Sequence, residues 1–166
     1  MTERDVLDRL SARYSQINMG TTPRYLIAEQ PNYKQRRRAD CIVLDRNYSR
    51  EFTRHFPREM VRPQYQAVHG FEIKCSRADW LRELEDPSKA QTWKRFCHFW
   101  WLVVSDKDII KDGELPDGWG LLIPRGKGLV AKTSAPYTDP RPLDHEAILA
   151  LVLAATKTAN RIGRPS

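Results

Sequence analysis

Cysteine and long apolar runs are both scarce in this 166-residue sequence, and each shortage excludes a class of protein. Cys41, Cys75 and Cys97 are odd in number and form no CxxC pair, so neither a disulfide framework nor a structural zinc site is expected. The longest apolar runs, 99–104 and 147–155, fall short of the roughly 18 to 20 residues that a membrane span requires. Together with a charged N-terminus that lacks an apolar leader segment, these absences predict a cytoplasmic protein with no membrane partner.

Low-complexity sequence is also absent, and the composition is that of a folded domain. Hydrophobic residues make up 40% of the chain and charged residues 30%, while 11 prolines and 8 glycines are close to average usage. A chain of this length holds one ordinary hydrophobic core. We therefore expect a single domain over residues 1–160, followed by a basic C-terminal tail over 161–166.

Positive charge is in excess, and it is concentrated in one part of the chain. The net charge is +7, and the segment from Lys34 to Lys74 contains ten basic and five acidic residues. Clustered cations attract a polyanion through the release of counterions, so DNA is the expected partner. For any one of Arg36, Arg37 and Arg38 a solvated loop is the preferred interpretation, and only the group favours phosphate binding. The residues predicted to contact DNA from this segment are Arg36, Arg37, Arg38, Arg46, Arg50 and Arg54.

Local patterns predict an amphipathic helix and two strands in the first half of the chain. Thr2 and Asp5 have the spacing of a helix capping box, and strands are indicated at 25–28 and 41–44 by apolar and β-branched residues. A basic loop, 31–38, separates the two strands. The stretch 45–69 shows no clean period, so we predict a long basic loop there.

The second half of the chain predicts a βαβ unit. Residues 71–74 alternate between apolar and charged, as in a half-buried strand, and the uninterrupted apolar run 99–104 is typical of a strand covered on both faces. Helices are predicted between them, and the two strands should be parallel. A closing hairpin and a final helix complete the pattern. The predicted helices begin after Ser76, at Pro87 and after Asp144, and the hairpin strands are 119–124 and 128–132.

Three charged residues in these strands form the candidate chemical site. Asp40 lies at the start of one strand, and Glu72 and Lys74 share one face of the next. Two nearby carboxylates offer the hard oxygen ligands that Mg²⁺ prefers, and the metal keeps positions for water and substrate phosphate. An ammonium beside them would orient the attacking water or stabilise developing charge. Alternating charges on a solvated strand are the simpler alternative for a Glu-x-Lys pattern alone.

The sequence around these residues resembles the PD-(D/E)XK nuclease superfamily. The similarity is carried by Arg37-Arg-Ala-Asp40-Cys-Ile-Val-Leu and by Gly70-Phe-Glu72-Ile-Lys74-Cys-Ser76-Arg-Ala-Asp79-Trp, and it is greatest to the MmcB-like DNA-repair proteins. It extends over roughly residues 24–124. Ala39 stands where the superfamily name has proline, a position without chemistry of its own.

The resemblance implies an α/β fold with a restriction-endonuclease-like αβββαβ core, a mixed central sheet and an additional C-terminal helix. It implies Asp40 and Glu72 as metal ligands, the backbone carbonyl of Ile73 as a further ligand, and Lys74 as the catalytic lysine. Glu29 is either another ligand, through a water molecule, or a surface carboxylate. Ser76 and Lys89 are candidate DNA contacts. Ser76 is otherwise a helix cap, and Lys89 otherwise lies on a solvated helix face.

These observations predict a Mg²⁺- or Mn²⁺-dependent deoxyribonuclease acting in DNA repair or processing, without a small-molecule cofactor. Two alternatives remain open: a nuclease-fold protein that binds DNA without cutting it, and an interaction protein with an incidental basic surface. The sequence leaves the choice between monomer and homodimer open.

Overall fold

The computed structural model describes residues 1–15, 23–34, 37–48, 66–86 and 88–163. Four α-helices are present in these ranges: α1 (Glu3–Arg13), α2 (Arg77–Glu85), α3 (Ser88–Lys94) and α4 (His145–Ile162). The same ranges contain eight strands. They are β1 (Tyr25–Glu29), β2 (Asn32–Tyr33), β3 (Arg37–Arg38), β4 (Cys41–Tyr48), β5 (Gln66–Lys74), β6 (Phe99–Val104), β7 (Gly120–Arg125) and β8 (Gly128–Thr133).

The main sheet is six-stranded and mixed, in the order β1-β4-β5-β6-β7-β8. The pair β5 and β6 is parallel, as predicted for a βαβ unit, and β6 is also parallel to β7. The remaining neighbours are antiparallel. The α/β class, the mixed sheet and the C-terminal helix are therefore confirmed.

Helices cover both faces of this sheet, and β6 shows why its sequence is continuously apolar. Trp100 and Leu102 pack into a cluster with residues of α2, α3 and α4. Trp101 and Val103 point the opposite way and pack against residues of α1. Because successive side chains of a strand alternate between faces, a strand covered on both sides requires apolar residues at every position. All six residues of β6 are buried.

Local capping signals read from the sequence are confirmed where the helices begin. Thr2 and Asp5 form the predicted capping box at α1. The Ser76 side chain accepts a hydrogen bond from the Asp79 N–H at the start of α2, and Asp144 caps α4 in the same way. These side chains satisfy backbone donors that have no partner inside the helix.

Several predicted boundaries were wrong. The predicted loop 45–69 is strand at both ends, since β4 continues to Tyr48 and β5 begins at Gln66; its centre, 49–65, lies outside the described residues. The loop 31–38 contains the short hairpin β2–β3. The helix predicted from Pro87 to Cys97 is confined to Ser88–Lys94.

The predicted C-terminal tail begins too early, because α4 includes Arg161 and ends at Ile162. Arg161 is held there by ion pairs with Glu29 and Asp8. Residues 164–166 lie outside the described ranges. Among the helices that are described, none combines the length and the apolar character that crossing a bilayer would take.

Candidate active site

Asp40 lies where β4 begins, opposite the C-terminal end of β5. The pairing of Cys41 with Phe71 is antiparallel, so extending it by one residue sets Asp40 across from Glu72. Side chains directly opposite in such a pair share a face, with about 5 Å between their Cβ atoms. The Ile73 N–H donates to Asp40 Oδ2 at 2.7 Å, which fixes the carboxylate against the backbone of β5.

Glu72 and Lys74 share one face of β5, as the alternation predicted, and they contact each other. Lys74 Nζ donates to Glu72 Oε1 at 2.6 Å and lies 2.9 Å from Glu83 Oε2 of α2. Phe71 and Ile73 point to the opposite face and are buried. A half-buried strand leaves its charged face to solvent, but here α2 covers the face that carries Glu72 and Lys74. Their side chains are 14% and 13% exposed.

Burial and mutual repulsion make this an electrostatically perturbed cluster. Desolvation, opposed by the hydrogen bond from Ile73 and the charge of Lys74, raises the pKa of Asp40 to about 6. Desolvation and the charge of Asp40 raise the pKa of Glu72 to about 8. Although burial lowers the pKa of Lys74, the charges and hydrogen bonds of Glu72 and Glu83 outweigh it, and the net direction is upward. Lys74 therefore stays cationic throughout the neutral range.

Glu83 is a member of this cluster that sequence reasoning missed. Its side chain is buried, Oε2 contacts Lys74, and Oε1 is a buried oxygen with no hydrogen-bond partner among the described residues. A signal was present in the sequence, since Glu83 follows the inward-facing Trp80 by three positions and so lies on the buried side of α2. Lys74 is thus positioned by carboxylates from a strand and a helix.

The carboxylates of Asp40 and Glu72 fit a divalent cation that keeps water in the rest of its coordination shell. In the described contacts Asp40 uses Oδ2 and Glu72 uses Oε1, which leaves Oδ1 and Oε2 without a hydrogen bond. Across the described part of the chain, no three His, Cys, Asp or Glu side chains are grouped so as to hold a metal by themselves. Mg²⁺ is commonly bound through one or two carboxylates and keeps several waters, so two carboxylates suffice for this type of site.

Ile73 and Glu29 were the other candidate ligands. The N–H and C=O of a strand residue point to the same side, so the Ile73 carbonyl faces the side on which Asp40 lies. Glu29 takes part in a different arrangement: its carboxylate accepts hydrogen bonds from the guanidinium groups of Arg4 and Arg161, at 2.6 to 3.2 Å. Although burial raises the pKa of Glu29, these bonds lower it overall. Both carboxylate oxygens of Glu29 are therefore already engaged by arginine side chains.

The predicted DNA contacts are dispersed over several elements. Arg37 and Arg38 form β3 and are exposed, and Arg46 of β4 donates to the Pro23 carbonyl at 3.0 Å. Ser76 is occupied as the cap of α2, and exposed Lys89 lies 4.0 Å from Asp86. The other three residues predicted to contact DNA lie outside the described ranges: Arg36, Arg50 and Arg54.

Comparison with solved structures found a protein with a similar fold. No family model and no curated protein matches the chain. A solved protein of unknown function from Silicibacter pomeroyi has a similar fold, with a TM-score of 0.58 and 21% sequence identity. The similarity covers 96% of this chain and 84% of that one. The shared fold therefore spans nearly the whole of this chain.

Proposed function

We propose that this protein is a metal-dependent nuclease that hydrolyses DNA phosphodiester bonds, in DNA repair or processing. The observation that carries the proposal is the convergence of Asp40, Glu72 and Lys74 at one end of two paired strands. The order α1, β1, β4, β5, the helices α2 and α3, then β6 supports a restriction-endonuclease-like αβββαβ core. The net charge of +7 supports a polyanionic substrate.

Asp40 Oδ1 and Glu72 Oε2, with the Ile73 carbonyl, would hold Mg²⁺ or Mn²⁺. A divalent ion there would lower the pKa of a water molecule and offset charge on the phosphoryl oxygens. The hydrogen bond from the Ile73 N–H to Oδ2 holds the Asp40 carboxylate in place, and this leaves Oδ1 for the metal. In hydrolysis the water gives up a proton to solvent as its oxygen bonds to phosphorus, the bond to the leaving oxygen breaks, and that oxygen takes up a proton from solvent.

Lys74 stabilises the negative charge that builds up during attack on the phosphodiester. Its ammonium has three donors, of which Glu72 and Glu83 occupy two, so one remains for a water or a phosphoryl oxygen. The two carboxylates hold the ammonium before substrate arrives, and such preorganised charge costs no reorganisation during reaction. Glu83 is therefore a positioning residue in this proposal.

A second candidate function is DNA binding without cleavage. It is favoured by one observation: within the described ranges no three acidic, histidine or cysteine side chains are placed to hold a metal together, and Glu83 of the cluster contacts Lys74 instead. Both candidates predict binding whose affinity falls with salt. They differ only in whether the unmodified protein cuts.

Cleavage of labelled single-stranded, nicked, branched and duplex DNA, with Mg²⁺, Mn²⁺ or chelator, separates the two functions. We expect metal-dependent cleavage that is lost in Lys74→Ala while DNA binding is kept. Lys127→Ala is the matched control, because Lys127 is exposed and forms no ion pair with any described residue. Binding without cleavage under any metal would favour the non-cutting protein, and neither binding nor cleavage would favour an interaction protein.

A further inference from the structure

A second concentration of charge lies away from the acidic cluster, in a cavity of about 770 Å³ beside the β2–β3 hairpin. Four cationic side chains line it: Lys34, Arg37, Arg95 and Arg141. They come from the hairpin, from the end of α3 and from the segment before α4. We refer to this cavity as the basic pocket. Its lining shares no residue with the Asp40 and Glu72 site.

Strand alternation in the hairpin directs one of its two residue pairs into the basic pocket. Tyr33 pairs with Arg37, and both line the basic pocket. The neighbouring pair, Asn32 and Arg38, lines a different cavity, on the α4 side of the hairpin. Of the adjacent Arg37 and Arg38, only Arg37 therefore reaches the basic pocket. The sequence alone does not show which of the two does so.

Arg95 and Arg141 are held side by side although 46 positions separate them. The Arg141 N–H donates to the Arg95 carbonyl at 2.8 Å. The Arg95 guanidinium lies over two aromatic rings, with Cζ 5.2 Å from the Tyr33 centroid and 4.6 Å from the Phe96 centroid. Stacking on rings orients the planar guanidinium while leaving its edge donors available for a ligand.

The cations of the basic pocket are only partly neutralised by the described residues. None of the four forms an ion pair within 4 Å with a carboxylate in the described ranges, and Arg95 Nε is a buried donor without a partner there. The acidic lining residue, Asp144, already accepts from the Tyr33 hydroxyl at 2.7 Å and from the Ala147 N–H at 2.9 Å. The lining carries four positive charges against one negative charge.

We propose that the basic pocket binds phosphate groups of a nucleotide, either as part of a nucleic-acid strand or as a free nucleotide. Several fixed cations around one cavity suit a ligand with more than one negative charge, and guanidinium groups match phosphate oxygens in bidentate geometry. A cavity of 770 Å³ lies within the size range of small-ligand sites. The proposal does not depend on metal chemistry, so it stands or falls separately from cleavage.

The test is fluorescence anisotropy of a labelled 12-nucleotide single strand with the full-length protein in chelator, over a series of salt concentrations. Arg141→Gln removes an exposed guanidinium that has no described hydrogen bond, and Arg125→Gln is the control, with the same substitution at an exposed arginine outside the basic pocket. We expect Arg141→Gln to weaken binding about fivefold or more. The salt slope should fall by about 0.7 for each lost phosphate contact.

Arg95→Gln is the second variant, with a thermal melt to confirm folding because Arg95 packs on Tyr33 and Phe96. Pyrophosphate and a mononucleotide are added as competitors. If they displace the strand from the unmodified protein and lose potency with Arg141→Gln, the ligand is a small phosphate compound. If only strand binding changes, the ligand is a nucleic-acid backbone. Equal effects of Arg141→Gln and Arg125→Gln on the strand and on both competitors would overturn the proposal.

Discussion

Gly70 sits in β5, two residues before Glu72, and a side chain there has no room. A Cβ atom added at Gly70 would lie 2.2 Å from Cε3 and Cζ3 of Trp100 and 2.9 Å from Sγ of Cys97, far inside ordinary contact distance. Gly70 and Trp100 are paired in the register of β5 with β6, and Trp100 is 1% exposed, so the ring cannot swing into solvent. Glycine in the interior of a strand marks such a close approach.

We therefore expect Gly70→Ala to lower the free energy of unfolding by about 3 kcal/mol, the upper end of the range for overpacking a close-packed core. For a chain of this size about 1 kcal/mol shifts the melting temperature by roughly 2 to 4 °C, so the expected loss is about 6 to 12 °C. Urea denaturation and thermal melting followed by circular dichroism measure both quantities.

Gly128→Ala is the matched control. The nearest atom to its added Cβ is the Arg125 carbonyl oxygen at 3.9 Å, so the change should stay within about 0.5 kcal/mol. Trp100→Phe removes the ring carbons that obstruct Gly70, so the double variant Gly70→Ala with Trp100→Phe should lose less than the sum of the single changes. A change of less than about 2 °C in the melting temperature corresponds to a loss of less than about 1 kcal/mol in the free energy of unfolding. Such a small change in Gly70→Ala would refute the close packing of β5 against β6.

Three further changes test other parts of the fold. Burial, with the charge of His69, lowers the pKa of His98 from 6.5 to about 4. The neutral imidazole therefore contributes stability above pH 6.5, and this stability is lost as the pH falls towards 4. In urea melts, His98→Gln should reduce this fall in stability. Hydrogen bonds from Arg77 lower the pKa of Glu114 from 4.5 to about 2, so stability is lost as the pH falls through that range, and Glu114→Gln should remove this loss in acid titrations. Ser76→Ala removes the α2 cap and should cost about 1 kcal/mol in denaturant melts, whereas Ser76→Asn should keep most of it. A pH dependence unchanged by the first two substitutions, or equal stability of the two Ser76 variants, would contradict these assignments.

Elements whose cause is local could be predicted from the sequence. The caps at Thr2 and Ser76 depend on residues three positions away, and the β6 strand follows from its own apolar run. The juxtaposition of Glu72 and Lys74 was also predictable, because alternate residues on a strand share a face.

Features that depend on distant partners could not be predicted in this way. Asp45 interrupts the apolar pattern of β4, yet it is buried because Arg24, 21 positions earlier, pairs with it at 2.8 Å. In the sequence Arg161 belongs to a predicted basic tail, but in the structure it pairs with Glu29, which lies 132 positions away. The four cations of the basic pocket likewise come together only through the packing of the hairpin against α3 and the segment before α4. Local periodicity contains no information about these contacts.

The central claim is that the Asp40 carboxylate takes part in cutting DNA, and Asp40→Asn tests it most directly. The amide oxygen of the substituted side chain can still accept the Ile73 N–H, so the fold is retained while the negative charge is removed. The measurement is the rate of DNA cleavage in Mg²⁺ for the unmodified protein, for Asp40→Asn and for Glu146→Gln, a control at an exposed glutamate of α4. We predict cleavage by the unmodified protein and the control, and a loss of at least about a hundredfold in Asp40→Asn, the scale seen when a key charge-stabilising group is removed. Because burial disfavours the Asp40 charge, the melting temperature of Asp40→Asn should be no lower than that of the unmodified protein. Equal rates for all three proteins, or no cleavage by the unmodified protein, would contradict the account.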